Sequence, residues 1–291
     1  MDTQLIAPAR GFEQIEFEQR TEKLQGLMAE QSIDALFLTT EPEFRYFSGF
    51  KSQFWESPTR PCFLVIPVKG KPIAVVPEIG KAGFDETWID DVRCWPSPRP
   101  KDDGISLLRD TLIETSNNSF QIGAMLGPET HLRMPADNYQ ALKRALGQSI
   151  GRHQIQDISA LIRQVRSVKS PAEIAKTRFA CEVTAAGFDF LLNKLKTGMT
   201  ERQACKAMQL EMLRLGADSC PYLISASGQD GYDNIIMGPT DRLLTQGDVL
   251  IIDTGANFDG YFSDFDRNFA FGEVDKKTHY AYEAVYASTE A

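Results

Sequence analysis

Apolar residues along this chain fall into two kinds of stretch. Some are short, β-branched and nearly continuous; others place apolar residues every three or four positions among charges. In residues 12–31, Ile15, Leu24, Leu27 and Met28 lie among Glu, Gln, Arg and Lys, which predicts a helix with one buried stripe. Residues 34–40 then read as a buried strand, and residues 44–50 open the next unit. Residues 61–67 and 72–77 are Val/Ile-rich runs joined by Lys69-Gly70-Lys71, a hairpin. Residues 105–114 and 135–145 predict helices, and residues 121–126 and 155–158 predict strands. Strands and helices in this order make an α/β layer fold.

A boundary falls near residues 167–173. Ser170 is a good N-cap, Pro171 takes the first helical position, and Glu173 completes a capping box. The helix that follows carries Ile174, Phe179, Val183 and Phe188. A second helix opens on the capping box Thr200 to Gln203 and closes at Gly216, and residues 222–227 are a strand. The expected domains are therefore residues 1–165 and 166–291.

The stretch 248–271 carries the candidate chemistry. Val249-Leu250-Ile251-Ile252 is the apolar run of a buried strand, Asn257-Phe258-Asp259-Gly260 holds turn residues, and an alternating aromatic/polar strand returns from Tyr261. A turn centred between Phe258 and Asp259 would set Asp253 opposite Asp264, with Asp266 two residues on and facing the same side. Directly opposed residues sit about 4.5–5.5 Å apart at Cβ, where like charges repel unless something neutralises them. One divalent ion or a pair would do so; carboxylates suit Mg, Ca or Mn, and Zn or Co once a His joins. The other reading is an acidic hairpin whose Asp side chains pair with Arg242 and Arg267 or meet solvent. A one-residue slip would turn an Asp to the other face.

Composition narrows the class. Hydrophobic content of 42% and charged content of 24% are ordinary for a globular protein. The net charge of −9, with no basic cluster, argues against a nucleic-acid partner. No apolar run is long enough to span a membrane, and residues 1–20 lack the apolar core of a signal peptide. Cys62, Cys94, Cys181, Cys205 and Cys220 form no Cys-x-x-Cys pair, which predicts reduced thiols and a cytoplasmic protein.

The run Asp253-x-Gly255-x-x-x-x-Gly260-Tyr261-x-Ser263-Asp264-x-x-Arg267, preceded by Arg242-Leu243-Leu244-x-x-Gly247-Asp248, resembles the metal-binding hairpin of the pita-bread hydrolases. These are the creatinase, prolidase and aminopeptidase P relatives. The resemblance is strong from Val168 onward. It is looser before that, where residues 43–50 and the Gly70-Lys71-Pro72 hairpin are similar to the family's N-terminal domain. It implies an α/β creatinase-type domain followed by an α+β pita-bread domain. It implies Asp253 and Asp264 as ligands of two divalent ions (Mn, Co or Zn), with Asp266 a supplementary ligand or a neighbour of the ligands. A metal-activated water would attack an amide-type bond of a small peptide or small-molecule substrate. A homodimer is implied too, because the family's N-terminal domain assists dimerisation and overhangs the partner's active site. Trp55, Glu56, Arg60 and Trp88 are then candidates to line the substrate pocket, and Tyr232 and Asn234 to orient substrate.

Three departures qualify that picture. The family's ligand His and two Glu lie well after the Asp hairpin, and the chain has only His131, His153 and His279. His279 does not sit in the family's Gly-flanked setting. The expectation is a pita-bread domain incomplete at its C-terminus and inactive as this chain. Residues 232–239 lack the His that Xaa-Pro peptidases carry there, and Asp266 stands where relatives mostly have Thr. These changes suit a creatinase-like amidohydrolase as an alternative. A non-catalytic binding protein on the same fold is a third reading.

Overall fold

The computed structural model describes residues 5–116, 118–228, 231–234 and 236–291, without the side chain of Asn234. The chain forms two compact units: Gly11–Lys169, and Ser170–Ala291 together with the N-terminal segment ending at Arg10. The expected boundary near residue 166 did not anticipate that residues 5–10 belong with the second unit. The reason is local. Arg10 forms a bidentate ion pair with Asp218, and Lys176 donates to the Ala9 carbonyl at 2.6 Å.

In the first unit α1 (Gln14–Glu30), β1 (Ala35–Leu38), α2 (Glu41–Ser48), β2 (Phe63–Pro67), β3 (Ile73–Pro77), β4 (Asp91–Trp95), α3 (Ile105–Thr115), β5 (Gln121–Ala124), α4 (Ala136–Gly147), β6 (Gln154–Asp157) and α5 (Ser159–Ser167) follow in order. The strands make one six-stranded sheet in the order β4-β3-β2-β1-β5-β6. β1, β2 and β3 pair antiparallel, and the remaining pairs are parallel. β1, β2 and β3 read as continuous apolar runs because each buries both faces. Leu36, Leu38, Leu64, Ile66, Ala74 and Val76 meet α1, α2 and α5 on one face. Ala35, Phe37, Phe63, Val65, Ile73 and Val75 meet α3 and α4 on the other. The period of two is present but hidden by apolar residues at every position.

In the second unit α6 (Pro171–Leu192), α7 (Glu201–Arg214), β7 (Leu223–Ser227), β8 (Val249–Thr254), β9 (Asn257–Phe258), β10 (Tyr261–Phe262), β11 (Phe265–Ala270) and α8 (Lys276–Thr289) follow. Both expected capping boxes form: Ser170 with Glu173, and Thr200 with Gln203. The antiparallel sheet β11-β8-β7 packs its apolar face under α6 and α7, with Leu250, Ile252, Phe188, Leu191, Met208 and Met212 in one core. β8 alternates half-buried and buried positions along its length, which leaves Val249, Ile251 and Asp253 on the face away from that core.

Candidate metal centre

The turn of the acidic hairpin is Phe258-Asp259-Gly260-Tyr261, in which Phe258 pairs with Tyr261. Asp259 (φ +52°) and Gly260 (φ +86°) are both left-handed, as a two-residue type I′ turn requires. The centre therefore lies between Asp259 and Gly260, one residue later than the sequence pattern suggested. That corrects the register: Asp253 lies directly opposite Asp266, not Asp264. The shift moves the partner by two residues, so Asp264 and Asp266 keep their common face. The Asp-Gly dipeptide was the signal for the true centre, since it is the preferred I′ pair.

Asp264 itself lies between β10 and β11, where the ladder is interrupted. The hairpin's two arms come close here. A Cβ on Gly255 would stand 1.7 Å from the Ser263 carbonyl oxygen, so only glycine fits. The Ser263 hydroxyl accepts from the Ala256 N–H at 2.9 Å and shares a 2.8 Å hydrogen bond with Thr184 of α6.

The electrostatics single out Asp253. Burial, then the charges of Asp266 and Asp264, then a hydrogen bond with Asp264 push its carboxyl above the usual value. Its Oδ1 is buried without a hydrogen-bond partner among the described residues. The Tyr222 hydroxyl donates to Asp264 Oδ1. Burial and the same three aspartates hold that phenol well above its ordinary range. No sequence signal singles out Tyr222, which immediately precedes β7 and becomes a neighbour of the aspartates only when β7 pairs with β8.

An orphaned carboxylate oxygen facing other carboxylates is the donor set of a hard divalent cation. The set is partial: among the described residues no group of three or more His, Cys, Asp or Glu is gathered tightly enough to hold a metal ion. Of the competing reading, pairing with Arg242 and Arg267 does not match the contacts, whereas Asp264 and Asp266 are exposed, as its solvent-facing form expects. Arg242 forks onto Asp248 at 2.6 and 2.9 Å, and Arg267 donates to the Asp266 carbonyl and stands over the Phe188 and Phe265 rings.

Other candidates fall elsewhere. The Tyr232 hydroxyl donates to the Val249 carbonyl and accepts from the Val249 N–H, so both its roles go to the β8 backbone. Asn234 ends the same short helical turn, and its side chain lies outside the described structure. Trp55 and Arg60 belong to the first unit. The Trp55 ring packs edge-on against Phe44 and Phe50, and Arg60 donates through Nε to Ser97 Oγ. Arg133 donates to the carbonyls of Phe54, Trp55, Ser57 and Thr59, which gathers that loop around one guanidinium. Trp88 is buried and donates to the Phe47 carbonyl, and Glu56 ends a short 3-10 turn. His279 is exposed on α8, 3.2 Å from Glu283, and His153 is buried between Ser149 and the Ser116 carbonyl.

The chain is built from the two domains of a peptidase class. It belongs to the creatinase/prolidase family: residues 20–168 match the Creatinase/Prolidase N-terminal domain, and residues 175–291 match Metallopeptidase family M24. The chain is 26% identical over 271 residues to an uncharacterized peptidase of Staphylococcus saprophyticus, which covers 93% of this chain and 70% of the relative. It is 23% identical over 273 residues to an uncharacterized peptidase of Bacillus subtilis, with 92% and 69% covered. Its fold is similar to that of a prolidase from Thermococcus sibiricus, with a TM-score of 0.81, 23% identity, and 94% and 71% of the two chains covered. A similar likeness holds to an Xaa-Pro dipeptidase from Bacillus anthracis, with a TM-score of 0.73, 21% identity, and 92% and 68% covered. The architecture is thus a creatinase-type domain followed by pita-bread secondary structure, and the chain spans about 70% of the relatives' length.

Proposed function

We propose that this chain carries part of the active site of a metal-dependent hydrolase acting on an amide-type bond, of the Xaa-Pro peptidase kind. The observation that supports it most directly is the buried, partnerless Oδ1 of Asp253 beside Asp264 and Asp266. Asp253 and Asp264 would hold divalent ions, with Asp266 across the ladder as a third donor. Bound there, Mn, Co or Zn supplies Lewis-acid activation of the scissile bond and its attacking water. The chain's own part is to hold the carboxylates aimed. The Tyr222 hydroxyl fixes one oxygen of Asp264, and the β8–β11 ladder keeps Asp253 and Asp266 face to face. The names of the solved relatives, prolidase and Xaa-Pro dipeptidase, support a small proline-containing peptide as substrate. The absence of His from residues 232–239 favours a second reading, a small amide or amidine substrate of the creatinase kind. Free cysteines throughout the described chain agree with a reducing, cytoplasmic setting, and among the described residues no helix is long and apolar enough to cross a membrane. A homodimer is part of the proposal through the creatinase-type domain.

The test is metal binding by calorimetry with Mn, Co and Zn, on the chain and on Asp253→Asn and Asp264→Asn. We expect binding in the parent and a loss of at least tenfold in each variant, since each removes an anionic ligand. Equal affinity in all three would sink the assignment. Hydrolysis of Xaa-Pro dipeptides against creatine-like amidines, in a chain extended to the relatives' length, then separates the two substrate classes.

A further inference from the structure

The register of the acidic hairpin depends on its turn, and the turn is held from outside. Asp259 is a non-glycine residue at φ +52°, a conformation that costs an ordinary L-residue free energy unless its surroundings enforce it. Two groups do so. The Asp259 carboxylate is paired with Lys176 Nζ of α6 at 2.7 Å, both side chains being 1% exposed. The Asp259 N–H donates to Asp218 Oδ2 at 2.7 Å. Each partner is in turn held by the N-terminal segment. Lys176 Nζ also donates to the Ala9 carbonyl at 2.6 Å. Asp218 receives both guanidinium arms of Arg10, at 2.8 and 2.5 Å, and the Arg10 guanidinium stands 4.5 Å from the centre of the Phe258 ring. Leu5 packs against the core of the same unit. The Asp218 N–H donates to the Asn257 carbonyl and the Asn257 N–H to the Ser219 carbonyl, so the segment beside β9 is stitched to the hairpin on its other side.

We propose that Leu5–Arg10 is a strap that locks the hairpin turn, with Arg10 and Lys176 as positioning residues for the aspartates. They act through Asp218 and Asp259 and touch none of the candidate ligands. The causal chain is short. The strap fixes Asp218 and Lys176; these fix Asp259 in the left-handed region; the I′ turn fixes the register; the register sets Asp253 against Asp266. A turn displaced by one residue would pair Asp253 with Asp264 instead. The strap's effect on metal affinity rests on the reading of this hairpin as a metal centre; its effect on the turn does not.

Hydrogen exchange of the β8 and β11 amides, followed by mass spectrometry on the full chain, tests the strap without requiring metal. Arg10 and Asp218 are partly exposed, so Arg10→Ala should fold and accelerate hairpin exchange by roughly two- to fivefold. Amides of α7, in the same unit, should keep their parent rates. Arg10→Lys, which retains the charge but not the fork, should fall between. Lys176→Met removes the 2.7 Å ammonium partner of the buried Asp259 carboxylate and should accelerate the hairpin by roughly a hundredfold or more where the unit still folds. Manganese affinity should weaken in Arg10→Ala in proportion to the exchange. Unchanged hairpin exchange in Arg10→Ala overturns the proposal, as does an equal rise in α7, which would mark general destabilisation. Faster hairpin exchange with unaltered manganese affinity overturns the positioning role. If the parent binds no manganese, the metal assignment fails, and the exchange pattern alone decides whether the strap locks the turn.

Discussion

The two ends of β8 carry aspartates five residues apart that have opposite environments. Asp248, at the entry, accepts the Arg242 fork together with the N–H and hydroxyl of Thr245. Burial opposes its ionisation, but the hydrogen bonds from Arg242 and Thr245 prevail and hold its carboxyl below the usual range. Asp253, near the exit, faces two other carboxylates with one oxygen unsatisfied, and is held above the usual range. The first carboxylate is built into the fold. The second is arranged against the fold's own stability, and that is the environment on which the proposed metal site rests.

Asp248→Ala should break this comparison at its stable end. It removes the counter-charge from Arg242 and the acceptor from Thr245, at a cost of about 2–3 kcal/mol in urea unfolding. The pH dependence carries the sign. A depressed folded pKa gives stability that is present above the unfolded value of about 3.9 and is lost as pH falls through the folded value. The Asp248→Asn variant should therefore lose less stability than the parent on acidification through that window. The Glu201 carboxylate extends this anchor, accepting from Ser227 Oγ and from the N–H and hydroxyl of Thr240, so the loop before β8 is fixed from both sides.

Gly255→Ala tests the narrow crossing between the two regions. The added Cβ meets the Ser263 carbonyl, and relief of that clash should cost about 1–3 kcal/mol. Because Ser263 precedes Asp264, metal affinity should fall with it. Thermal melts and calorimetry on one preparation measure both; retained affinity at reduced stability would uncouple the crossing from the site.

The smallest effect has the opposite sign. Asp253→Asn removes a like charge from a directly opposed pair and should stabilise the metal-free protein by roughly 0.2–1 kcal/mol. A raised folded pKa gives stability that is full below the unfolded value of about 3.9 and is lost as pH rises through the folded value. The variant's advantage should therefore be absent in acid and appear as pH rises through that window. Melting temperatures of the two proteins at pH 3 and pH 7 give the answer, and a destabilised variant at pH 7 would mean that Asp253 has a partner in solution.

Much of the fold was legible in the residue pattern. Ser170-Pro171-x-Glu173 and Thr200-x-x-Gln203 announced their helices because a capping box needs only local chemistry. β1 to β3 were legible as buried strands for a similar reason. β4 was not read as a strand: Asp91 and Arg93 interrupt the pattern, and the ion pairs from Arg93 to Asp91 and Glu114 that make the segment compatible with a sheet edge are tertiary. α5 carries no such signal because it follows β6 directly and its N-cap residue is Ile158, whose side chain cannot accept a hydrogen bond.

The candidate site divides the same way. By itself the sequence determined that acidic residues alternate along a hairpin, and alternation places Asp264 and Asp266 on one face whatever the turn does. It also determined the family, through a motif whose glycines and aspartates are close together in the chain. Only the tertiary structure decided which carboxylates oppose each other, that Tyr222 joins them, and that Ala9 and Arg10 hold a turn some 250 residues away. The physical reason is that register and electrostatic shifts are properties of pairs. A single residue's type states what it can offer, but its partner is chosen by the packing of α6 against the hairpin and of the N-terminal segment against both.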